Sequence, residues 1–207
     1  MNQRIFQFAA VLALAVAPAT RAAEEGFKPL FNGKDLTGWV TPENTGLFSV
    51  EEGEIVGRSK KGELKKNEFL VTEKSYGDFI LKAKVKIRNH NSGIQFRSIR
   101  KENGAVNGLQ ADIADDYWGS LYKEGPGGAI LSRYPKEKIA ALVHKDDWNE
   151  FEITAKGQHV IIKLNGTLVV DMTDEKFDKT GIIALQLHAG DPMEVRFKDI
   201  EIKPLND

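Results

Sequence analysis

A chain of 207 residues is long enough to bury one sizeable core, and no polar linker divides it near the middle. Its 29 basic and 30 acidic residues nearly cancel, and no run of like charge exceeds Lys60-Lys61 or Lys65-Lys66, which argues against a nucleic-acid or anionic-membrane surface. The absence of cysteine excludes disulfides, thiol catalysis and thiolate metal sites.

Residues 1–22 read as a secretory signal. Arg4 supplies the positive start, residues 5–17 are apolar apart from Gln7, and Ala17-Pro18-Ala19 and Thr20-Arg21-Ala22 both offer small-residue cleavage sites. The apolar run is too short to span a bilayer, and no cysteine follows it to carry a lipid anchor. The expectation is a periplasmic or secreted protein without a membrane anchor. Losing Arg4 and Arg21 leaves 27 basic and 30 acidic residues, a charge near −3.

Residues 26–205 read as one all-β domain. Phe27, Leu30, Phe31, Leu36 and Trp39 are apolar anchors spaced by turn residues, a segment pinned across a sheet edge in which Trp39 packs into the core. Residues 47–50 and 54–57 form a hairpin around Glu51-Glu52-Gly53, residues 62–67 a polar loop, and Phe69-Leu70-Val71 a short strand. Residues 78–88 alternate, with Phe79, Leu81, Ala83, Val85 and Ile87 inward and a basic outer face. Residues 126–141 read as a glycine- and proline-containing loop, with Arg133 and Tyr134, placed to cover a site. Residues 148–171 read as a three-strand meander whose Asn165-Gly166 turn favours type I′, and the change of phase at Lys198-Asp199 marks a bulge in the last strand. About a dozen short strands, with no amphipathic helix of ordinary length, predict an antiparallel two-sheet sandwich.

Three of these strands carry polar pairs in i, i+2 spacing: Gln95/Arg97, Gln110/Asp112 and Gln186/His188. Residues two apart stand on one face of a sheet, so adjacency of the three strands would build one polar floor. The second pair leads into an acidic, aromatic loop, with Asp115, Asp116, Tyr117, Trp118, Tyr122 and Glu124 within a dozen residues. Such a density of groups able to bond and stack on a sugar points to carbohydrate. His90, His144 and His159 fall in turns or polar loops and read as surface residues, whereas His188 ends an apolar strand and is placed for acid–base work. Asp112, Asp115, Asp116 and Asp191 offer hard oxygen ligands to a divalent cation, but no EF-hand loop or HExxH spacing accompanies them. P-loop, GxSxG and dinucleotide fingerprints are missing.

Phe31-Asn32-Gly33-Lys34-Asp35-Leu36-Thr37-Gly38-Trp39, Asn91-Ser92-Gly93-Ile94-Gln95-Phe96-Arg97, Gly108-Leu109-Gln110-Ala111-Asp112-Ile113, Gly119-Ser120-Leu121-Tyr122, Trp148-Asn149-Glu150-Phe151 and Leu164-Asn165-Gly166, in that order, resemble the motifs of the 3-keto-disaccharide hydrolase domain family. The resemblance implies a concanavalin A-like jelly roll, a concave carbohydrate site and cleavage of glycosides oxidised at C3. A ketone at C3 acidifies the proton on C2, so a base can remove it, the glycosidic oxygen leaves C1, and water adds to the enone. On that reading His188 or Asp112 is the base, Arg97 with Gln95 or a bound cation stabilises the enolate, and Tyr122 or Glu124 protonates the leaving group. Gln95, Gln110, Asp115, Trp118 and Gln186 are the expected substrate contacts. An ordinary laminarinase-like glycosidase needs Glu-x-Asp-x-Glu on one strand, and the matching positions here are Gln110, Asp112 and Ala114. The other rival is a non-catalytic, lectin-like module.

Overall fold

The computed structural model describes residues 24–41, 46–114 and 116–205; the export signal read in residues 1–22 lies outside them. Two two-residue strands, β1 (Lys28–Pro29) and β2 (Trp39–Val40), precede the hairpin of β3 (Phe48–Glu51) and β4 (Glu54–Ser59). Then come β5 (Glu68–Thr72), β6 (Phe79–Arg88), β7 (Ser92–Arg100), β8 (Val106–Ile113), β9 (Leu121–Glu124) and β10 (Ala129–Ser132). A two-turn helix, α1 (Lys136–Leu142), leads to β11 (Asn149–Lys156), β12 (His159–Leu164), β13 (Thr167–Thr173), β14 (Ile182–Leu187) and β15 (Met193–Pro204).

All pairings are antiparallel, and they form two sheets, as the alternation predicts. One runs β13-β12-β11-β6-β15-β4-β3, with β1 also on β15, and the other β10-β9-β8-β7-β14-β5-β2. The segment 28–40 therefore pairs with both sheets. Trp39 is buried and donates from Nε1 to the Leu30 carbonyl at 3.1 Å. The inward faces of the strands, among them Leu81, Val85, Ile94, Phe96, Leu121, Phe151, Ile153 and Leu185, make one continuous core. Burying such side chains supplies about 1.5–3 kcal/mol each.

The turns follow their residue types. Asn165 and Gly166 have φ of 48° and 79°, the type I′ conformation, and Asp199 has φ 49° where the β15 register shifts. The segment 126–141 differs from its reading as loop, because it contains β10 and α1. Neither left a periodic signature: Ala129 and Ile130 are exposed, and Ile139 is the buried residue of α1.

A second departure alters the site. In β7 the register to β8 shifts between Phe96 and Ile99, and Arg97 adopts φ 47°. The extra residue reverses the phase, so Ser98 shares the face of Gln95 and bonds it at 3.3 Å, while Arg97 turns away. Gly181 lies against this bulge, where a Cβ would collide with the backbone of Arg97 and Ser98.

Candidate carbohydrate cleft

The strands carrying the three polar pairs are neighbours, in the order β8-β7-β14, with His188 just past the end of β14 and β9 on the far side of β8. Leu109, Ala111 and Ile113 of β8 are spent on the core, which leaves Gln110 and Asp112 on the outer face. Ala111 pairs with Leu121 and Gln110 with Tyr122, so β9 adds Tyr122 and Glu124 to the same face. A cleft of about 300 Å³ opens there, lined by Gln110, Asp112, Tyr122, Glu124, Gln186 and His188, with Asn67, Asn91, Tyr117 and Ile130 at its margins.

Burial and like charge set its electrostatics. Asp112 is 6 % exposed, and desolvation, with the Glu124 carboxylate adding to it, raises its pKa from 3.8 to about 6, against the lowering hydrogen bonds from Gln110 and the Ile113 backbone. Desolvation also raises Glu124, which accepts a hydrogen bond from Gln186 Nε2 at 3.3 Å. Tyr122 is raised by desolvation and then by Glu124 and Asp112, so its phenol stays a donor. Desolvation lowers His188 below 6.5, and His90 adds to the effect. At neutral pH the His188 ring is therefore neutral. Its Nδ1–H donates to the Ala189 carbonyl at 2.6 Å, which leaves Nε2 as the acceptor. His90 is exposed, as its turn position predicts, and sits edge-on to His188 with ring centroids 4.6 Å apart.

Three expected site residues lie elsewhere. Arg97 is fully buried and donates to the carbonyls of Gly77, Ala155, Gly157 and Asp178 and to Asp78 Oδ1. It fastens β7 to the start of β6 and the β11–β12 turn, and none of its partners lines the cleft. Gln95 shares the floor's face but is completely covered, with its amide on Gln110 and Ser98. Trp118 belongs to the core, stacked on Phe151 at 6.1 Å between centroids. Asp115 lies outside the described residues. Asp116 pairs with Lys136, Asp191 is exposed, and among the described residues no group of three His, Asp or Glu is placed to hold a metal ion.

Tyr117, paired with Trp118 as a sugar platform in the lectin-like reading, alone of the two lines the cleft. It is 36 % exposed, and the Arg133 guanidinium stands 4.5 Å from its ring centroid. The two aromatics are thus separable by experiment. Trp118→Ala is expected to destabilise the protein by about 3–5 kcal/mol in urea titration, whereas Tyr117→Ala stays within about 0.5 kcal/mol of wild type. Equal losses would contradict this assignment. Asn67 and Asn91 at the margins were missed; Asn67 ends a polar loop and carries no pattern that would mark it.

Two antiparallel sheets with a polar cleft on the outer face of one place the protein among the carbohydrate-active jelly rolls. The chain belongs to the family of the 3-keto-alpha-glucoside-1,2-lyase-like domain, whose model matches residues 26–203. None of the curated proteins compared with it matches. Among solved structures it is similar to a Parabacteroides distasonis protein provisionally named a glycosyl hydrolase, with 24% identity over 88% of this chain and 95% of that one, at a TM-score of 0.65. The carbohydrate binding module CBM66 from Bacillus subtilis is 21% identical over 80% of this chain and 95% of its own, with a TM-score of 0.61. The Bacillus licheniformis beta-glucanase is 12% identical over 87% of this chain and 97% of its own, also at 0.61. At these identities the likeness is one of fold.

Proposed function

We propose that the cleft cleaves glycosides or disaccharides already oxidised at C3, by elimination followed by hydration. The observation that carries this reading is Asp112, a buried carboxyl with a pKa of about 6, in one cleft with a second raised carboxyl, Glu124. Two carboxyls raised by burial in one cleft suit one base and one acid.

Asp112 takes the proton from C2, and the electron pair passes into the C3 carbonyl as an enolate. Tyr122, kept protonated, donates to the enolate oxygen. The enolate then re-forms the ketone, a C1–C2 double bond appears, and the glycosidic oxygen leaves C1 with the proton of Glu124. Water adds at C1 and a proton returns to C2, so the net reaction is hydrolysis. The Nε2 of His188 accepts a substrate hydroxyl, and Tyr117 offers the ring face away from Arg133 to the sugar. Arg97 and Gln95 have no part in stabilising the enolate, because neither lines the cleft.

The test is turnover of a 3-keto-disaccharide beside its unoxidised parent, followed by proton NMR and mass spectrometry, with and without chelator. The expected result is cleavage of the keto sugar alone, with deuterium from solvent entering at C2. Cleavage of the parent at a comparable rate would establish an ordinary glycosidase. Binding of both without turnover would establish a lectin-like module.

A further inference from the structure

Beneath the cleft runs a chain of side-chain amides. Ser98 Oγ donates to Gln95 Oε1 at 3.3 Å, Gln95 Nε2 donates to Gln110 Oε1, and Gln110 Nε2 donates to Asp112 Oδ1 at 3.0 Å. Its members are almost without exposure: Gln95 0%, Ser98 1%, Gln110 2%. The path is built into the register. Gln95 pairs with Gln110 and Gly93 with Asp112, so the Gln110 side chain must lean across Gly93 to reach the carboxylate. A Cβ on Gly93 would overlap the Gln110 amide. The β7 bulge completes the path by bringing Ser98 rather than Arg97 onto this face.

An amide donates only from nitrogen and accepts only at oxygen. Because Gln95 presents its nitrogen to Gln110, Gln110 in turn presents its nitrogen to Asp112. We propose that Gln95 and Gln110 act as positioning residues, a directional relay that offers Asp112 Oδ1 a donor and so confines the titrating proton to Oδ2. This deepens the proposed function and rests on it for its catalytic meaning. A carboxyl whose proton sits on one defined oxygen removes a proton along one direction, and Gln95 contributes to this from beneath the cleft, which it does not line. Glu124 and Tyr122 on β9, Tyr117 in the loop before it and His188 beyond β14 are the titratable groups that share the cleft with Asp112, and the Gln95 side chain bonds to Gln110 and Ser98 rather than to any of them.

The experiment is a titration of the full chain labelled with ¹³C in the aspartate carboxyls, with Asp112→Asn assigning the resonance. In Gln95→Met the Gln110 amide is free to turn, and the Asp112 midpoint is expected to rise by about half a pH unit or more. A smaller rise, or a fall, overturns the relay. Should Gln95→Met fail to fold, the wild type decides: the side-chain ¹⁵N signals of both Gln95 and Gln110 must move with the Asp112 midpoint, and independent behaviour of Gln95 overturns the proposal. Neither measurement needs turnover, so failure of the keto-sugar assay would sink the proposed function and leave the relay to be judged separately. Where turnover is found, the acid limb of the kcat profile shifts with the carboxyl in Gln95→Met while KM holds.

Discussion

Asp112→Asn is expected to lower kcat on a 3-keto-disaccharide by about 10²–10⁴-fold, and at the same time to make the protein more stable at pH 8. The second effect follows from the direction of the pKa change. Burial raises the Asp112 carboxyl from 3.8 to about 6. Below about pH 3 the group is protonated whether the chain is folded or not, and the fold bears no cost. As pH rises the unfolded chain ionises first, so stability is lost progressively until the folded carboxyl has titrated as well. A rise of this size corresponds to about 2–3 kcal/mol lost by pH 8. Asparagine keeps the acceptor for Gln110 and removes the buried charge. The variant should therefore match the wild type near pH 3 and melt higher at pH 8, by calorimetry at both values. A variant that loses turnover yet gains no stability at pH 8 would show that Asp112 is not the desolvated group described above. One that keeps turnover would remove it as the base, and His188 Nε2 would become the remaining candidate.

Arg97→Met is expected to destabilise the protein by about 3–5 kcal/mol, the usual cost of deleting one member of a buried ion pair. Its guanidinium is 0% exposed and bonds Asp78 Oδ1 at 2.6 Å, Ala155 O at 3.0 Å and Gly77 O at 3.0 Å. Burial lowers its pKa, and the Asp78 charge and hydrogen bond oppose that change. Without it, Asp78 retains the Gly157 amide at 2.9 Å but loses its cation, and four carbonyls lose a donor. Lysine would not replace it, since one ammonium does not span the fork from Gly77 to Asp178. Urea unfolding should show a lower midpoint at unchanged slope, while the kcat of the folded fraction stays at the wild-type value. A selective loss of kcat with normal stability would return Arg97 to the enolate and contradict its placement here.

These two residues show where reading the chain succeeded and where it did not. Both stood on strands recognised by alternation, and both were assigned to one floor by the rule that i and i+2 share a face. The rule holds for Gln110/Asp112 because β8 is regular from Leu109 to Ile113. It fails for Gln95/Arg97 because a bulge lies between them and the partner strand, and Arg97 is not a residue type that announces positive φ. Trp118 went astray for a related reason. A loop aromatic beside acidic residues looks the same in sequence whether it faces sugar or core, and only contact with Phe151 separates the cases.

What the amino-acid order determined by itself was local: the period-2 strands, the type I′ turn at Asn165-Gly166, the β15 bulge, the antiparallel two-sheet class and the presence of Asp112 in a polar strand face. What only the tertiary structure decided was which strands lie side by side, and with that the meeting of Gln186 with Glu124, His188 with His90, and Tyr117 with the cleft. The division has one physical cause. Backbone alternation and turn preference act over a few bonds and are written in neighbouring residues, whereas a carboxyl's desolvation, an amide's partner or an arginine's cage depends on atoms brought together from as far as 60 to 81 residues away.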